Sequence, residues 1–317
     1  MRVLITGASG FVGGWLARTC VEAGDEVIGI SRSGTVTAGQ GRAVDLRDAA
    51  AVAALLADTD PEAIYHLGAL SHVGRSWEQP AETLAANVGG AVALLEAVRR
   101  VTPRARVLWA STCEVYGSAP DLPVTEAAPL APVNPYAVSK AAADMLAGVY
   151  AAAHGLDVVR ARPFNHVGPG QRPIFLVASL AEQAARALDE RADALTILTG
   201  NPDTRRDYTD VRDVCAAYRA LVHSAPTGVY NVCSGVSVSA RELVRLVGEL
   251  IAPVAVHHEI DPARVRAHEV IDHRGSAAAL TAATGWTPQI PLARTVADTI
   301  AAFRAQRSGV RAGGFPG

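Results

Sequence analysis

The sequence predicts an α/β protein: a doubly wound parallel sheet followed by a smaller C-terminal α/β part. Three observations carry this expectation. Short β-branched runs alternate with longer helical patterns as far as residue 162, the rhythm of a parallel sheet covered on both faces. The first apolar run leads at once into Thr6-Gly7-Ala8-Ser9-Gly10-Phe11-Val12-Gly13. After Pro163 the rhythm breaks at Gly168-Pro169-Gly170-Gln171-Arg172-Pro173, a loop composition.

Taken in order, strands are expected at 2–6, 26–30, 42–45, 63–67, 106–110 and 157–162, with helices at 11–23, 48–57, 81–100 and 135–154. Helices near 177–190 and 210–224 follow. A strand at 228–232 returns to the first sheet, and helices near 240–251 and 292–305 complete the C-terminal part. The Gly- and Arg-rich end, 307–317, is expected to fray. A nucleotide-binding domain therefore covers 1–164 with about 206–233 returning to it. The second domain takes about 165–205 and 234–317.

Half of the 317 residues are apolar and the net charge is −2. That balance offers no electrostatic footprint for nucleic acid or an anionic membrane. Cys20, Cys113, Cys215 and Cys233 lack paired spacing, so neither a disulfide framework nor a zinc site is expected. The histidines, among them His66, His166, His257 and His258, show no metal-ligand spacing either. The chain enters its first strand without a charged-then-apolar leader, and no apolar run approaches membrane-spanning length. A cytoplasmic location with no membrane contact is the expectation.

Gly7, Gly10 and Gly13 lie between an apolar strand and a helix start. Lacking side chains, they permit a tight turn and let backbone N–H groups approach a pyrophosphate, the Rossmann-type fingerprint. The second strand ends Gly29-Ile30-Ser31-Arg32. A carboxylate there holds ribose hydroxyls in NAD sites, whereas an arginine suits a 2′-phosphate. Ser31 and Arg32 therefore favour NADP(H), with NAD(H) left open. Asp45-Leu46, after the third strand, could meet the adenine.

Tyr136-Ala-Val-Ser-Lys140 places a phenol and an ammonium on one helix face, a turn apart. Upstream stands Thr112, within Ser111-Thr112-Cys113-Glu114. A phenol of pKa about 10 is a poor acid–base catalyst at neutral pH. An ammonium neighbour is expected to lower it, and reaching neutrality takes about 4 kcal/mol at about 1.36 per unit. Ser71 and His72 fall in the loop after the fourth strand, over the sheet edge where ligands bind.

With these motifs, and with Tyr65-His66-Leu67-Gly68-Ala69, Asn87-Val88-Gly89-Gly90 and Arg206-Asp207-Tyr208, the chain resembles the extended short-chain dehydrogenases/reductases that act on nucleotide sugars. Arg162-Pro163-Phe164-Asn165-His166-Val167-Gly168-Pro169, Tyr230-Asn231-Val232 and Gly285-Trp286-Thr287-Pro288 are similar to the GDP-6-deoxy-4-keto-mannose reductases that make GDP-rhamnose. The resemblance implies reduction of the C4 keto group of a GDP-4-keto-6-deoxyhexose. Thr112 would then polarise the carbonyl, Tyr136 deliver the proton, and Lys140 acidify the phenol and hold the nicotinamide ribose. It also implies cofactor contacts from Ser9, Phe11 and Val12, from Leu67, Gly68 and Ala69, and from Asn87, Ser111 and Pro163. Asn165 would touch the sugar nucleotide, Arg206 and Arg266 grip its diphosphate, and Glu269 hold its ribose. A homodimer through the helices at 81–100 and 135–154 is implied as well.

Thr112-Cys113-Glu114 departs toward dehydratases of the same family, where a Thr is followed by a polar residue and a Glu. Glu114 as a base at C5, with Cys113 as an accompanying acid, would make the chain a 4,6- or 5,6-dehydratase; a 4-epimerase also recycles its cofactor. Cys113 is otherwise a small packed residue and Glu114 a wall of the site. A non-catalytic cofactor-binding protein on this fold is the remaining class.

Overall fold

The computed structural model describes residues 1–265 and 270–309. Its strands are β1 (Arg2–Thr6), β2 (Glu26–Ser31), β3 (Gln40–Ala43), β4 (Ala63–His66), β5 (Arg106–Ala110), β6 (Val158–Pro163), β7 (Asn165–Val167), β8 (Ala194–Thr199), β9 (Arg205–Asp210), β10 (Gly228–Val232), β11 (Ser237–Ser239), β12 (Ala255–Ile260) and β13 (Asp272–His273). The helices are α1 (Phe11–Glu22), α2 (Ala49–Thr59), α3 (Val73–Glu78), α4 (Pro80–Leu84), α5 (Gly90–Val101), α6 (Pro135–His154), α7 (Leu176–Asp189), α8 (Val211–Ser224), α9 (Ala240–Leu250), α10 (Ala278–Thr284) and α11 (Leu292–Arg307).

Seven parallel strands form the large sheet in the order β10-β6-β5-β4-β1-β2-β3. Strand alternation divides its side chains between two cores. Val3 and Ile5 face Leu16 and Ala17 of α1 and Val214 and Tyr218 of α8. Leu4, between them, faces Leu56 of α2 and Leu94 and Leu95 of α5. Burial on both faces is why these strands read as unbroken apolar runs. The return of β10 beside β6 matches the expected strand at 228–232.

The C-terminal part has its own core, in which α7, α9 and α11 close over Ile197 of β8. There β9 pairs with β7 and β13 in parallel and with β11 antiparallel, while β8 pairs with β12. The sequence pattern did not anticipate β7, β8, β9, β11, β12 or β13.

Two further departures bear on the site. β3 ends at Ala43, so Asp45 lies in the following turn. The helix expected at 81–100 is a continuous stretch interrupted by one π turn, Ala85–Gly89, the kind of irregularity that gathers at functional sites. Asn87 sits in that turn. By length and apolar content Pro80–Val101 could also cross a membrane, contrary to expectation. Here Ala91, Leu94, Leu95 and Val98 are buried against the sheet, as in a core helix.

Candidate active site

The loop from β1 to α1 is organised around Thr6. Its hydroxyl oxygen accepts the backbone N–H of Leu67 (3.1 Å) and of Gly68 (2.9 Å) and stands 3.0 Å from His66 Nδ1. With both lone pairs taken, the hydroxyl proton points to Nδ1, which fixes the His66 tautomer. Gly7 follows with φ of 70°, against the backbone of Gly68, and a Cβ on Gly13 would stand 2.2 Å from the Gly7 carbonyl oxygen. Gly10 opens α1 without a side-chain cap, and the first turn carries no acid. Uncapped N–H groups at a helix start beside bare backbone fit a pyrophosphate. Ser9 is exposed at this turn, and Phe11 stacks on His166 at 6.2 Å.

At the tip of β2, Ser31 donates to the Thr35 carbonyl (3.0 Å). Arg32 is exposed and lines a cavity of about 420 Å³ with Ser9 and Ser33. The nearest expected carboxylate is engaged elsewhere: Arg47 Nε lies 3.0 and 3.1 Å from the two oxygens of Asp45. Those bonds hold the Asp45 carboxyl down at about 2. Leu46 packs beneath Gly68 and Gly90. No ribose-binding carboxylate therefore stands at this edge among the described residues, and the cavity's basic lining suits a phosphate.

The reactive corner joins the end of β5 to the start of α6. Thr112 caps a 3₁₀ turn, Cys113–Tyr116, its oxygen accepting from the Glu114 N–H (3.3 Å). Asn134 caps α6 through Ala137 N–H (2.8 Å), Pro135 occupies the first helical position and Gly155 ends the helix, a set of signals that fixes both ends. Asn134 also donates to Glu114 Oε2 at 3.1 Å. One amide thus ties the turn bearing Thr112 to the helix bearing Tyr136.

Burial pushes the Tyr136 phenol well above its ordinary range; the nearby Thr112 hydroxyl opposes that, while Glu114 and Cys113 add to it. Lys140 is buried and donates to the Ala110 carbonyl at 2.5 Å. Burial brings its amine down to about 8, against the pull of Asp144. The expected acidification of Tyr136 by Lys140 is therefore corrected. The ammonium is bonded to the end of β5, and loss of solvent dominates the phenol.

Other candidates fall around this corner. Asn87 accepts the Leu70 N–H (2.7 Å) and donates to the Leu70 carbonyl (3.1 Å) and Ser139 Oγ (2.8 Å), while Ser139 donates to the Tyr136 carbonyl (2.7 Å). It clamps the loop carrying Ala69 and Ser71 to α6. His72 caps α3, accepting the Arg75 N–H at 2.9 Å. Ser111 is buried, its backbone N–H donating to Ala161. Pro163 ends β6 and Asn165 begins β7 beside Tyr208. Arg206 donates to the carbonyls of Arg205 and Val270, both at 2.7 Å, and its charge reaches Cys113 and His273. Arg266 and Glu269 lie outside the described residues.

Cys113 is corrected too. It packs with Val115, Tyr116, Phe164 and Cys233, and burial drives its thiol far up, which makes it a poor acid. Asp207 lies within the Arg206-Asp207-Tyr208 motif. It is 1 % exposed and accepts from Ser234 N (2.8 Å), Ser234 Oγ (2.6 Å), Gly235 N (2.9 Å) and Gly275 N (3.3 Å).

Residues 4–299 match the family model described as GDP-mannose 4,6 dehydratase. The chain belongs to this family. Within the family's wider relations it is 40 % identical over 239 residues to GDP-6-deoxy-D-mannose reductase of Pseudomonas aeruginosa, covering 74 % of this chain and 78 % of that protein. It is also 33 % identical to UDP-glucose 4-epimerase of Mycolicibacterium smegmatis, over 96 % of this chain and 99 % of the relative. The solved structure of RMD from Pseudomonas aeruginosa complexed with NADPH superposes with a TM-score of 0.84 at 33 % identity, covering 96 % of this chain and all of that one. The chain is thus an extended short-chain dehydrogenase/reductase, similar to relatives that carry reductase and epimerase names.

Proposed function

We propose that the protein reduces the C4 keto group of a GDP-4-keto-6-deoxyhexose with NADPH. The observation that carries this reading is the Tyr136 phenol beside the Thr112 hydroxyl, a proton donor and a second hydrogen-bond donor at one corner. Reduction begins with a proton donor at the carbonyl oxygen, whereas a dehydratase or epimerase begins by oxidising C4 and needs a base there. The reductase relative and the NADPH-bound structure support the same choice. So does the cavity at Arg32, whose guanidinium suits a 2′-phosphate.

Bound NADPH supplies the hydride. Gly7, Gly10 and Gly13 hold the dinucleotide at the start of α1, and Ser31 and Arg32 meet its adenosine end. Thr112 and Tyr136 share the sugar oxygen; as charge develops there Tyr136 gives up its proton, while the Lys140 ammonium holds the nicotinamide ribose. Arg206, with no carboxylate partner among the described residues, supplies charge for the diphosphate. Asn165, at the start of β7, serves the sugar-nucleotide side, and residues of about 165–205 and 234–317 form its domain beside 1–164 and 206–233. Glu114, held by Asn134 at the same corner, is the group that a rival dehydratase would use as its base at C5.

A panel of GDP-, UDP- and dTDP-sugars, with and without NADPH, tests the proposal by mass spectrometry. A GDP-linked 4-keto-6-deoxy sugar is expected to gain two hydrogens only when NADPH is present. Conversion of GDP-mannose without added NADPH, with loss of water, refutes it. A tenfold preference (about 1.4 kcal/mol) for NADH over NADPH refutes the cofactor assignment.

The working unit in this reading is a cytoplasmic homodimer. Val138, Met145 and Val149 form one exposed stripe on α6, with Met145 and Val149 each 58 % exposed, and Val92 lies exposed on α5. An apolar stripe of this kind suits a second copy of the chain. Met145→Glu is expected to halve the mass seen by light scattering; a variant whose mass equals wild type argues against this interface.

A further inference from the structure

Lys140 is the only lysine in the chain; every other basic side chain besides the histidines is an arginine. Its surroundings contain one carboxylate. Asp144 lies one turn further along α6, fully buried, and its charge reaches Lys140. That carboxylate is already shared. Arg162 grips both oxygens, Nε at 2.9 Å and an Nη at 3.1 Å, and Arg160 donates to one of them at 3.0 Å. From β4, the neutral ring of His66 also feels Lys140, and from β5 comes the uncharged carbonyl of Ala110. Beyond Arg162 stand Tyr116 and Asn231, joined to it at 3.1 and 2.7 Å in turn. One buried negative charge thus serves three cations. A buried ammonium keeps its proton only with countercharge, and here two guanidinium groups compete for it.

We propose that Asp144 is a positioning residue that sustains the charge of Lys140, and that Arg160 and Arg162, by competing for its carboxylate, set the pH at which that charge is lost. The proposal concerns the amine itself; its consequence for rate rests on the reductase reading above. Arg162 belongs to the sequence leading into Asn165 and also reaches the Thr112 turn through Tyr116. The same network therefore links the helix, the turn and the β6 end that surround the reactive corner.

The lone lysine makes the test direct. With ¹³C-labelled lysine, the full-length protein gives a single side-chain Cε resonance, whose titration midpoint reports Lys140. Asp144→Asn is expected to lower that midpoint by about one pH unit. Arg160→Gln, which frees part of the carboxylate at a half-buried position, is expected to raise it. The alkaline limb of kcat/KM should move in the same directions. Midpoints that stay fixed, or that shift the same way in both variants, overturn the proposal. Should Asp144→Asn fail to fold, since it strands Arg162, the upward or absent shift in Arg160→Gln still decides. Midpoints that move as expected in a protein that reduces no keto sugar leave the electrostatic assignment standing and reject the proposed reaction.

Discussion

Tyr136→Phe is expected to lower turnover about a thousandfold, within the roughly hundred- to ten-thousandfold range of positioned general acids, with NADPH binding retained. The substitution keeps the ring that packs at the start of α6 and deletes only the proton. The cradle at Gly7, Gly10 and Gly13 is built by other elements, so fluorescence titration should give a cofactor affinity close to wild type. Asn134 continues to cap α6 and to bond Glu114, so the corner keeps its shape. Steady-state rates and the titration together check this. Turnover equal to wild type would remove the proton-donor role.

Asp207→Ala is expected to cost about 3–5 kcal/mol of stability, the range for stripping one partner from a buried charged network. Its carboxylate is the common acceptor for the Ser234, Gly235 and Gly275 N–H groups and the Ser234 hydroxyl. Alanine leaves the buried Gly275 N–H and the half-buried Ser234 donors without that acceptor, and it loosens β9, on which Arg206 sits. The proton linkage has a definite sign. Burial holds the Asp207 carboxyl above its usual range in spite of the four donors. The folded state then binds that proton more tightly than the unfolded chain. This group's share of stability is therefore present at acid pH and declines as pH rises through its folded pKa. Denaturant melts at acid and neutral pH check both points: the variant should be less stable at both and lack that pH-dependent component.

The parallel sheet was legible because its strands are apolar on both faces, and the first glycine turn because its position admits little else. β9 was not. Its sequence, Arg-Arg-Asp-Tyr-Thr-Asp, has no apolar alternation, yet Asp207, Thr209 and Asp210 are buried. Asp207 is satisfied by Ser234, between β10 and β11, and Asp210 by neighbouring Arg212 and by Thr295; Ser234 and Thr295 lie far off in sequence. Periodicity placed Tyr136 and Lys140 on one helix face and left open what each touches. Lys140 turns to a β5 carbonyl, and Tyr136 is governed by burial; both are tertiary facts. The clamp from Asn87 to Leu70 and Ser139 is hidden for the same reason, since the π turn that presents it has no local signal.

The central claim is that hydride from NADPH reaches C4 of a keto sugar while Tyr136 supplies the proton. Incubation of the enzyme and a GDP-4-keto-6-deoxyhexose with NADPH carrying deuterium at the transferable nicotinamide position tests it most directly. The account predicts one deuterium at C4 of the product for each NADPH oxidised. An unlabelled product, formed by water loss or isomerisation with the added NADPH intact, contradicts it.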